Sequence, residues 1–158
     1  MKVTRASYRR DTYYKRVVTA VNQILCDGSI VAPVEVFIRM DLLKREKLED
    51  WRFGRVPYLE RVINCNLSKT GRILKILALH AEDRGLKPSR TVYKKWGKGV
   101  KPLLWFSKYR HPRLEAAYST HYVQQRRKAE SAPGPEAPGG PPRECSQDSS
   151  DSQELPTQ

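Results

Sequence analysis

Three acids, Glu49, Asp50 and Glu60, stand close together in EDWRFGRVPYLE, residues 49–60. Paired carboxylates beside cations are the ingredients of Mg²⁺-assisted phosphodiester cleavage, so a metal-dependent nuclease is one reading. Each acid, however, has a local arginine to pair with (Arg52, Arg55 or Arg61), and no further acid keeps a fixed spacing to them. His80 lies beside an apolar helical stripe, as a structural histidine does. The GxxxxGK[ST], GxGxxG, HExxH and GxSxG patterns do not occur. Cys26, Cys65 and Cys145 are far apart and form no CxxC pair, so no zinc site is expected. The residues point to binding without catalysis, and to no cofactor or metal.

The binding chemistry is concentrated in TVYKKWGKGVKPLLWFSK, residues 91–108. Four aromatic rings alternate with lysines around a Gly-Lys-Gly turn. Lys94, Lys95, Lys98 and Lys101 suit phosphates; Trp96 or Tyr93 either packs beneath the hairpin or lies against sugars and bases. A second group precedes it. Ser68, Lys69, Arg72 and Lys75 occupy the front half of a helix whose end carries Glu82 and Asp83. That order is inverted relative to the helix dipole, at a cost of roughly 0.3–1 kcal/mol per charge. A phosphate at the N-terminus would reverse the penalty. Arg72 and Lys69 are best suited to read bases, with Asn66, Ser68 and Thr70 as polar partners.

Charge agrees with such a partner. The 158 residues carry a formal net charge of +13. Residues 131–158 hold one Arg and five acids, so residues 1–130 have 29 bases against 12 acids, a net of +17. A polyanion screens that self-repulsion and releases counterions on binding. The segment 131–158, rich in Pro, Gly and Ser, is expected to be a disordered acidic tail that solubilises the chain or competes for its basic surface. Residues 1–10 read as a basic arm, and residues 11–130 as the folded domain. The N-terminus lacks an apolar signal core and no run approaches the ~20 apolar residues of a membrane span. The expectation is a cytoplasmic protein without a membrane partner.

The elements that position these residues follow from periodicity. A first helix starts near Asp11 or Thr12, with Tyr14, Val17, Val18, Val21, Ile24 and Leu25 on one face and Gly28 as its stop. A second opens at Pro33. KREKLEDWRF (44–53) is a third, ended by Gly54. Pro57 opens a fourth; a turn at 64–68 separates it from the helix capped by Asn66 or Ser68 and ended by Gly85. The alternative is one unbroken helix over 57–84. Residues 91–96 and 103–107 read as hairpin strands, and 112–128 as a last helix that would serve a homodimer contact. The fold class is mainly α with a β-hairpin, a winged helix-turn-helix-like domain.

The strings DWRFGRVPYLERVI, RILKILALHAEDRGL, YKKWGKG and FSK…EAAYSTHYV resemble a family of small, basic, uncharacterised proteins, mostly bacterial. The resemblance covers residues 13–123 and excludes the tail. Leu104-Trp105 departs from the more basic second strand that the resemblance implies. It implies no activity. The residues themselves lead to a non-enzymatic DNA-binding protein, regulatory or architectural. Duplex DNA is favoured over RNA. The competing reading is a basic module that docks RNA or an acidic protein.

Overall fold

The computed structural model describes residues 2–125. A 3₁₀ turn (Tyr8–Arg10) precedes α1 (Tyr14–Asp27), β1 (Ile30–Val31), α2 (Pro33–Arg39) and α3 (Arg45–Arg52). A second 3₁₀ turn (Leu59–Arg61), α4 (Leu67–Asp83), β2 (Lys87–Arg90), α5 (Pro112–Ser119) and β3 (Thr120–Val123) follow. The described residues thus form a mixed α/β fold of five α-helices and one small antiparallel sheet of order β1-β3-β2. None of the helices is long and apolar enough to cross a membrane. The acidic segment 131–158 and the end of the expected last helix lie outside the described residues.

The helices form where local chemistry provides a start, a stripe and a stop. In α1, Val17, Ala20, Val21 and Ile24 recur at helical spacing and are buried. The Asp11 carboxylate accepts the Tyr13 N–H just ahead of it. Pro33 sits at the first position of α2. α3 ends before Gly54, whose φ of 76° most side chains avoid. In α4 the Asn66 side chain accepts the Lys69 N–H at 2.9 Å, a cap worth about 1 kcal/mol. Gly85, at φ 70°, turns the chain away after its last turn. Ile73, Leu74, Ile76 and Leu77 of α4 are buried in the same core as the α1 stripe.

Three expectations are corrected. The helix expected from Pro57 is only the 3₁₀ turn. The N–H groups of Leu59 and Glu60 donate to the carbonyls of Trp105 and Phe106 at 3.2 and 2.9 Å, so the chain is tied to the later segment before a helix can propagate. The last helix stops at Ser119. The Ser119 and Thr120 hydroxyls donate to the Glu115 and Ala116 carbonyls, both at 2.7 Å, closing the helix end. The next residues, Thr-His-Tyr-Val, are good strand formers and become the central strand. The expected hairpin strands reduce to a single bridge, Lys94 with Leu103. The regular pairing lies instead between β2 and β3, where Lys87–Arg90 face Val123 through Thr120. Pro88 is tolerated because β2 is an edge.

Candidate nucleic-acid interface

The lysine-rich segment hangs from an aromatic cluster. Trp51, Tyr93, Phe106 and Tyr118 are all buried. Phe106 lies 5.0 Å from Trp51 and stacks on Tyr118 at 5.1 Å, centroid to centroid. The Trp51 Nε1–H donates to the Trp105 carbonyl at 2.9 Å. Glu115 reaches back from α5 and accepts from the Ser107 N–H and hydroxyl, both at 2.7 Å. The Tyr93 hydroxyl meets His121 Nε2 at 2.6 Å. Burial pushes the Tyr93 phenol up to about 12 and the His121 imidazole down.

Above this base the two arms are held by Leu104 N–H to Tyr93 C=O at 2.8 Å and Lys95 N–H to Pro102 C=O at 3.0 Å. The Trp96 N–H instead donates to the Arg52 carbonyl at 2.7 Å. That bond binds the hairpin to α3 and explains why the ladder does not lengthen. The Arg52 guanidinium stands 4.8 Å from the Tyr93 ring and 4.5 Å from Trp96. Burial lowers its pKa, yet an arginine stays charged. A Cβ on Gly54 would meet the Lys95 side chain at 3.0 Å, so this glycine admits Lys95 against α3. At the tip, Gly97 and Gly99 adopt φ values of 113° and 87°.

Lys94, Lys98 and Lys101 are exposed, Lys95 is half-buried and Trp96 is 43% exposed. Residues 84–114 contain ten Lys and Arg and no Asp or Glu. The electrostatic signal is therefore broader than the hairpin: it also includes Lys87 and Arg90 of the fully exposed strand β2, which composition alone could have flagged.

The group on α4 divides. Ser68, Lys69 and Lys75 are exposed. Gly71 has no heavy atom within 4 Å of an added Cβ, so the outward side of the helix is low and open there. Arg72 is different. Its Nη2 and Nε donate to Asp11 at 2.7 and 3.1 Å, and its guanidinium lies 5.2 Å from the Tyr13 ring. The Asp11 side chain is 7% exposed. Burial alone would raise its pKa, but the Tyr13 N–H and Arg72 hold it below the usual carboxylate range. Arg72 is thus engaged inside the protein, and of the two residues expected to read bases only Lys69 is exposed.

The acids at the far end of α4 are also engaged. Arg5 lies 2.8 Å from Glu82, Arg9 lies 3.0 Å from Asp83, and the Tyr8 hydroxyl donates to Asp83. The bonds from Tyr8 and Arg9 hold the Asp83 carboxyl down. The inverted charge order of the helix is therefore answered at its C-terminal end by residues 5–9, without a ligand. Sequence reasoning missed these pairs because their partners are more than 60 residues apart.

The three acids considered for metal chemistry are not brought together. Asp50 pairs with Arg55 at 3.1 Å, and Glu60 accepts from the Tyr118 hydroxyl at 3.3 Å. Glu49 is exposed. Among the described residues no three His, Cys, Asp or Glu side chains converge. A shallow cleft of about 260 Å³ beside α1 and the end of α2 has Lys15, Arg16, Arg39 and Asp41 in its lining, with Arg39 paired to Asp27 and Arg16 donating to the Met40 carbonyl. Comparison with protein-family models, curated proteins and solved structures found no match to the chain.

Proposed function

We propose that the chain is a non-enzymatic nucleic-acid-binding protein of winged-helix type that holds duplex DNA mainly through its backbone. The observation that carries the reading is topological. Between β2 and β3, in a sheet of order β1-β3-β2, the chain makes a lysine-tipped excursion and then α5, and α4 is the last helix before that sheet pair begins. In a winged helix that excursion is the wing and that helix is the one offered to the groove. The absence of acids from residues 84–114 adds support, as does the pinning of the wing to α3 through Trp96 and Arg52.

Engagement of Arg72 by Asp11 shifts the balance toward an architectural role. Ser68, Lys69 and Lys75 on the helix and Lys94, Lys95, Lys98 and Lys101 on the wing remain as contacts, with Trp96 beside them. Five exposed lysines on phosphates (69, 75, 94, 98 and 101) give a slope of log affinity on log salt of about −4.5. Fluorescence anisotropy with a labelled duplex across a salt series measures it. Affinity that ignores ionic strength refutes the reading.

A further inference from the structure

The wing has two sides, and only one belongs to the core. With Lys94 opposite Leu103, the strand alternation puts Tyr93, Leu104 and Phe106 on one side. Tyr93 and Phe106 are buried and Leu104 packs against the core. The other side carries Val92 and Lys94 on one arm and Lys101, Leu103 and Trp105 on the other, while Trp96, beyond the bridge, turns toward α3, where its ring meets Phe53 at 5.6 Å. Val92 is 66% exposed and Leu103 51%. Among the described residues, five of the eight large apolar side chains left exposed lie within residues 92–109. Scattered singly they would need no account; gathered on one cationic hairpin they do.

The indoles add chemistry. Arg52 stacks on Trp96 at 4.5 Å and Arg110 on Trp105 at 4.2 Å. Among the described residues neither guanidinium has a carboxylate within ion-pair distance. A stacked arginine keeps its N–H edge for an acceptor while its face is occupied. The outer side therefore offers flat apolar surface, lysine ammonium groups and unclaimed guanidinium edges. A paired duplex presents phosphates but hides its base faces. A strand of unpaired nucleotides presents both, and it has the negative charge that this acid-free segment complements.

We propose that this outer side of the wing binds unpaired nucleotides, so that the preferred ligand is a duplex carrying a single-stranded tail. The proposal rests on the nucleic-acid reading above and names its substrate class. The test compares, at one salt concentration, a blunt duplex with the same duplex extended by about eight thymidines. The tailed form is expected to bind at least about tenfold tighter and to quench indole emission.

Val92→Ser and Leu103→Ser each remove most of that advantage and leave blunt-duplex binding within about twofold. Both positions are exposed, and near-ultraviolet circular dichroism checks the fold. Equal affinity for the two duplexes, or variants that weaken both alike, overturns the proposal while the duplex reading stands. Binding of neither duplex overturns both. Phosphatidylserine vesicles that displace the tailed duplex from the intact protein, but not from Leu103→Ser, assign the surface to lipid and also overturn it.

Discussion

The Asp11–Arg72 pair separates the two roles open to Arg72, and removing the guanidinium decides between them. Asp11 is 7% exposed and Arg72 29% at the side chain. Breaking a buried pair from one side costs about 3–5 kcal/mol, because the remaining charge is left without a partner. Arg72 is partly open to water, which screens the pair, so roughly 2–3 kcal/mol is expected for Arg72→Ala. The Asp11→Asn, Arg72→Met double variant leaves no orphan charge and should lose under about 1.5 kcal/mol. Urea unfolding of the parent, Asp11→Asn, Arg72→Met and the double gives the coupling directly. The pH dependence is a second readout. The folded Asp11 pKa lies below its unfolded value, so its contribution is present above about pH 4 and is lost as pH falls through the folded value. Arg72→Ala should flatten that acid limb. A variant within about 0.5 kcal/mol of the parent that loses discrimination between DNA sequences would refute this reasoning and return Arg72 to base reading.

Burial and the neighbouring Arg84 hold the His80 pKa below its usual value, and its Nε2 has no hydrogen-bond partner among the described residues. Stability should be complete above about pH 6.5 and decline as pH falls, since the unfolded imidazole takes up a proton that the folded one resists; His80→Leu should weaken that decline in thermal melts between about pH 7.5 and 5. Gly71→Ala meets open space on α4 and should stabilise the fold by roughly 0.5–1 kcal/mol, read from urea midpoints. Lys98→Ala should weaken all duplex sequences alike and make the salt slope about 0.9 less steep in anisotropy titrations.

The first four α-helices are legible because each carries punctuation of its own: Pro33 at one start, Asn66 at another, and Gly28, Gly54 and Gly85 at the ends. The sheet is not. Lys-Pro-Ser-Arg of β2 is exposed along its length and shows no alternation, so it reads as a connector. In β3 the spacing of Tyr118, His121 and Tyr122 fits a helical flank as well as a strand, and two hydroxyls of the helix end decide the matter. Within the site, Lys69 and Lys75 are exposed on the side of α4 away from its buried stripe, as their spacing suggested. The fate of Arg72 is not legible, because Asp11 lies 61 residues away along the chain and only tertiary packing joins them.

The pairs that fasten residues 5–9 to the end of α4 sit mostly in water, with Arg5 and Glu82 side chains 66% and 58% exposed. Ions therefore slacken this clasp over the same range in which they compete with DNA phosphates. On the proposed reading, a salt titration of binding would register two events at once, counterion exchange at the ligand and loosening of α4. Unfolding curves recorded at matching ionic strengths would let the second be subtracted from the first.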